Sequence, residues 1–154
     1  MGINFSDIAS KKVEDVERPP LPPVGTYRLR VMKIPESKKS QDEQWEFLRF
    51  TCKVLEALDN VETADYPGDI NNIVLSKSFV FNSADEAAFE TTLFQLRQFC
   101  EKHLRCVEEG MSIAEMINAS VNSEFLGDVR WQQDKRDQSG ETFNAEIGRT
   151  APVE

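Results

Sequence analysis

A chain of 154 residues, 40% hydrophobic and 29% charged, is long enough to bury one core without metals or disulfides. It holds no run of about 18 apolar residues, so no membrane-spanning helix is expected, and residues 1–20 lack the apolar stretch of a secretory signal. A net charge of −9 argues against gripping duplex DNA by bulk charge, and three cysteines without an export signal point to reduced thiols in a cytoplasm.

Residues 1–24 read as a flexible arm. They mix charges and end in Pro19, Pro20, Pro22 and Pro23, a density that removes amide donors and favours polyproline II. A first strand follows at 26–31, with Tyr27, Leu29 and Val31 on one face and Arg28 and Arg30 on the other. Residues 35–43 form a polar loop carrying Lys38 and Lys39.

The second strand, 44–57, has two faces of different chemistry. Leu48, Phe50, Cys52 and Val54 alternate as a core face. Trp45, Phe47, Arg49, Thr51 and Lys53 occupy the other. Flat rings beside positive charge suit unstacked bases tethered to phosphates. A plainer reading also fits: a strand buried on both sides, with Arg49 and Lys53 reaching out to water. Residues 27–53 hold seven Lys or Arg against four Asp or Glu, whereas residues 54–76 hold five acids and no base. Positive charge is therefore concentrated where the mixed face lies.

Residues 58–71 form an acidic loop around Pro67 and Gly68, and a third strand spans 72–81 with its inward parity undecided. Ser83 and Glu86 have the spacing of a capping box, which predicts a helix from there to about residue 103. Phe89, Leu93, Leu96 and Cys100 give that helix its core face. A short helix is predicted at 112–118, a strand at 120–131, a polar hairpin loop with Lys135 and Arg136 at 132–140, and a closing strand at 142–150. Trp131 fits either the core or the rim of a groove.

The order β-β-β-α-β-β is that of an OB-fold, a five-stranded, partly open barrel, mainly β with one long helix. The expected organisation is an arm at 1–24, an OB-fold domain at 25–150 and a short tail at 151–154. In such a fold ligands lie on the face of the second and third strands, between the loops joining strands one to two and four to five. Here that surface is the Trp45 and Phe47 face, flanked by loops 35–43 and 132–140, each with a cationic pair.

The layout resembles the small phage single-stranded-DNA-binding proteins of the OB-fold type. The resemblance runs over residues 3–150. It rests on Phe5, Asp7 and Ile8 at the start, Pro23, Gly25 and Tyr27 before the first strand, the two-faced second strand, the helix after the third, and Gly140, Phe143 and Asn144 near the end. The chain departs from the wider class in ending Thr-Ala-Pro-Val-Glu, without an acidic tail for recruiting partners. The resemblance implies low-specificity binding of single-stranded DNA in phage replication or recombination, in the cytoplasm of an infected host cell. Replication or recombination proteins and further copies of the chain are the partners it allows. Trp45, Phe47 and Phe79 are expected to stack bases. Arg28, Arg30, Arg49, Lys53, Lys77, Lys38, Lys39, Lys135 and Arg136 are expected to hold phosphates. The alternative is an acidic phage module that inhibits or recruits a host protein without touching nucleic acid, and burial of Trp45 and Phe47 would favour it.

No catalytic pattern stands out: the chain has one histidine and no phosphate-binding loop, nucleophile elbow or dinucleotide fingerprint, so no enzyme is expected. Cys100, His103 and Cys106 have a ligand-like spacing, but on one helix they fan apart and no fourth Cys or His completes a zinc set. Asp59, Glu62, Asp65 and Asp69 read as a solvated acidic loop. No metal or other cofactor is expected.

Overall fold

The structure is a computed structural model that describes residues 5–10, 12–13, 20–134, 139 and 143–153. Its backbone is β3 (Trp45–Ala57), whose alternation of buried and exposed residues follows the two-faced pattern of its sequence. β4 (Val74–Asn82) pairs with β3 from Trp45 to Lys53 and so occupies one edge. The other edge is shared: β2 (Glu36–Lys39) takes Glu46 to Arg49, and β1 (Gly25–Val31) takes Cys52 to Ala57. β5 (Glu124–Gln133) pairs with β1, and β6 (Phe143–Ala151) with β5, every pairing antiparallel. A short helix α1 (Phe5–Ala9) precedes the sheet.

Two expectations about the sheet are corrected. Among the described residues it has six strands, because residues 36–39 form β2 where a loop was expected. All four β2 side chains are exposed, so its pairing is a backbone matter that leaves no hydrophobic period to read. The sheet is also open where a five-stranded, partly open barrel was expected: β4 and β6 are not hydrogen-bonded neighbours. They do approach, since the Lys77 ammonium on β4 donates to the Gly148 carbonyl on β6 at 3.4 Å.

The helical layer sits between β4 and β5. α2 (Glu86–Gln98) starts on Asp85, whose carboxylate accepts from the Ala88 amide at 3.1 Å. Ser83 is not the cap. Its hydroxyl donates to the Gln44 carbonyl at 2.9 Å and tethers the end of β4 to the start of β3. After Gln98 the chain widens into a π-turn over Phe99–His103, in place of the continuous helix expected to residue 103. α3 (Ile113–Ala119) has the full Ser112–Glu115 capping box. The next strand begins at Glu124, not at 120, because Asn122 takes φ 69° and its amide donates to the Val31 carbonyl at 2.8 Å, which makes a turn.

Phe99 plugs the concave side of the sheet. Its ring lies 5.2 Å from Phe50, 5.6 Å from Phe79 and 5.1 Å from Phe125, mostly edge to face. Each buried ring of this kind stabilises by about 1.5–3 kcal/mol. Tyr27, Leu29, Val31, Cys52, Val54, Leu96 and Val129 complete the centre. Among the described residues no helix is long and apolar enough to cross a membrane.

Candidate nucleic-acid interface

The convex side of β3 carries Trp45, Phe47, Arg49, Thr51 and Lys53, because the opposite parity is consumed by the core. Trp45 is 38% exposed and Phe47 41% exposed, so the strand is not buried on both sides. Register fills in the surface around them. Phe47 lies between Lys38 of β2 and Val80 of β4. Arg49 lies between Glu36 and Ser78, and Thr51 beside Ser76. Strands stand about 4.8 Å apart and alternate residues along a strand about 6.8 Å apart, so these rows form a continuous patch.

Two hollows flank Arg49. One, of about 450 Å³, is lined by Lys38, Lys39, Phe47 and Glu36 together with Arg49. The other, of about 490 Å³, runs along the open β4–β6 gap past Ser76, Ser78, Asn144 and Glu146. The Glu36 carboxyl is held below the usual carboxylate range, chiefly by its hydrogen bond and charge contact with Lys33, then by Arg49. Glu36 pairs with the Lys33 ammonium at 2.7 Å, and among the described residues Arg49 forms no ion pair. Lys39 stands opposite Glu46, on the other parity from Lys38, yet still lines the first hollow.

Further along the same face, Arg30 of β1 and Lys53 of β3 are direct register partners. Like charges directly opposite destabilise a sheet, and an anion lying across them would relieve that. Arg28 is already engaged, with Glu56 at 3.3 Å and Glu124 at 3.4 Å.

Lys77 and Phe79 do not belong to this surface. Register pairs Phe79 with Leu48 and Lys77 with Phe50, which puts both on the core side of β4. Phe79 is 7% exposed, and the Lys77 ammonium lies 5.3 Å and 5.7 Å from the Phe79 and Phe99 ring centres. Lys135 and Arg136 lie outside the described residues. Val74 and Val80 are the additions that sequence reasoning missed: apolar, half-exposed residues on the convex side of β4. Alternation across 74–82 contained them, but its parity could be settled only by pairing with β3.

Trp131 is not part of the core. It is half-exposed, and its indole N–H donates to the Pro22 carbonyl at 2.7 Å. The buried Tyr27 hydroxyl likewise donates to the Pro23 carbonyl at 2.6 Å, so the proline segment is fastened to the sheet. Of the ligand-like trio, His103 turns its Nδ1 to the Thr150 hydroxyl at 2.6 Å, while the Cys106 thiol donates to the Cys100 carbonyl at 3.5 Å. The Cys106 hydrogen bond, and then burial, push the Cys100 thiol up. Among the described residues no three His, Cys, Asp or Glu side chains converge as a metal set.

No family model matches the chain, and no curated protein matches it.

Proposed function

We propose that this protein binds single-stranded DNA with low sequence specificity, through base stacking and phosphate contacts on the convex face of β3, β4 and β2. The observation that carries the reading is the exposure of Trp45 and Phe47 beside Lys38 and Arg49, on a chain of net charge −9. Rings with free faces accept any base, each stack contributing about 1–3 kcal/mol. The Arg30–Lys53 pair extends the cationic track along the same face. Acid elsewhere repels a second strand and disfavours duplex wrapping.

The strand order supports an OB-type architecture in an open form. β1, β3 and β4 precede α2, and β5 and β6 follow it; β2 is an added hairpin arm on the first of these loops. Together with the resemblance noted from the sequence, it supports reading the protein as a phage factor that protects or organises exposed strands in replication or recombination. The role is binding, not catalysis.

A fluorescence titration with oligo-dT at low salt tests the reading. Trp45 should be quenched as a base stacks on it, and duplex DNA of equal length should bind far more weakly. An oligo-dT titration with neither quench nor mobility shift overturns the reading in favour of a protein-interaction module.

A further inference from the structure

The residues that left the convex face point to a second site. Lys77, Phe79 and Phe99 line a hollow of about 410 Å³ between β4, the helical layer and the end of β6, shared with Phe94, His103 and Arg149. Among the described residues no carboxylate lines it. On a chain with 27 acids and 18 bases, three cationic or titratable donors gathered without an acid among the described residues is an unusual local balance.

We propose that this hollow binds a 5′-phosphorylated nucleotide, its phosphate between Lys77 and Arg149 and its base against Phe94. The Lys77 ammonium has three N–H donors. Its one hydrogen-bond acceptor among the described residues is the Gly148 carbonyl, at a long 3.4 Å, and aromatic rings face the rest of it. Burial lowers its pKa, the cost of a half-buried cation that forms no ion pair among the described residues. An anion there would favour the charged form. Arg149 is exposed on β6, next to Gly148, and forms no ion pair among the described residues. His103 commits Nδ1 to Thr150 and keeps Nε2 for a further partner. Phe94 is 58% exposed, a free ring face on α2, and Gln95 and Gln98 at the same hollow offer amides to a base edge. The site lies on the opposite parity of β4 from the Trp45 surface, so it is independent of the reading above.

The test is dTMP titrated into the full chain and followed by amide NMR. Saturable shifts at Phe99, His103 and Thr150 are expected, with dTMP binding at least threefold more tightly than inorganic phosphate or thymidine. Arg149→Gln, a surface change, should weaken dTMP at least threefold at unchanged Tm. Lys77→Gln should do the same, and Trp45→Ala should leave dTMP affinity unaltered. Competition by oligo-dT bearing a 5′-phosphate, but not by the unphosphorylated strand, assigns the nucleotide to a DNA end; absence of competition assigns it to the free nucleotide. The proposal is overturned if no saturable shift occurs at these amides. It is equally overturned if phosphate or thymidine matches dTMP, or if Arg149→Gln binds dTMP as the parent does.

Discussion

Trp45 and Phe47 share a strand with Phe50, yet only Phe50 is fully buried. That difference separates what each ring does. Trp45→Ala removes a stacking surface and no core contact, so it should weaken oligo-dT by roughly 1–3 kcal/mol while the slope of log K against log salt stays the same. Arg49→Ala removes a phosphate partner instead, and its salt slope should flatten by about 0.7. Both variants should melt with the parent. A Trp45→Ala protein that unfolds would mean the ring was holding the sheet, and the stacking role would fall. Lys53 offers a sharper trade. It sits opposite Arg30 across the β1–β3 ladder. Lys53→Thr should therefore stabilise by about 0.2–1 kcal/mol, through relief of like-charge repulsion, and still lose DNA affinity. Calorimetry and a binding titration on one preparation read both, and a variant that gains affinity would remove the cationic track from the proposal.

At the scale of elements, the start of α2 separates two residue types that both suit an N-cap. Asp85 caps, and Ser83 ties β4 to β3. Asp85→Ala should cost about 0.5–2 kcal/mol and speed hydrogen exchange at the Ala88 amide. Ser83→Ala should leave that amide protected, and faster exchange there would return the cap to Ser83. The capping box at Ser112 was legible because one Ser and one Glu at the right spacing met no competitor; at 83–86 two capping residues competed. β3 was legible for a similar reason. Leu48, Phe50, Cys52 and Val54 alternate with polar or aromatic residues over a long run, so a single parity satisfies the core. β4 has Val74 and Val80 on one parity and Leu75, Phe79 and Phe81 on the other. Only its register with β3 decides which side faces inward, and that register is a tertiary fact. Lys77 and Phe79 were assigned to the convex face for want of it. β2 was invisible to periodicity because its residues, Glu36 to Lys39, bury nothing. Arg28 was readable as a cation but not as one already paired, since Glu124 is far from it in sequence.

For the molecule as a whole, the question is where the folded unit begins. In the arm, Ile8 is 50% exposed and Val13 90% exposed, so those side chains contribute little burial. Pro22 and Pro23 are different: their carbonyls accept from the Trp131 indole and from the Tyr27 hydroxyl. Tyr27 is fully buried, and burial raises its pKa from 10.0 to about 12, with the charge of Tyr66 a lesser cause. A phenol so placed needs an acceptor, and losing one leaves a buried donor unsatisfied at a cost of about 1–3 kcal/mol. Deleting residues 1–20 should therefore leave Tm within a few degrees. Deleting residues 1–24 should lower it by roughly 3–10 °C, given the few degrees per kcal/mol expected at this size. Tyr27→Phe in the shorter deletion separates the two effects. It removes the donor itself, so the further step to residue 24 should then cost much less. The same linkage fixes an alkaline limit. Because the folded-state pKa lies above the unfolded value, this stability is complete below pH 10 and is lost as pH rises from 10 toward 12. Tyr27→Phe should flatten that decline. If deletion of residues 1–20 already unfolds the chain, the domain begins upstream of the prolines; if deletion of residues 1–24 changes nothing, the Tyr27 hydroxyl has found water and the proline segment is not part of the fold.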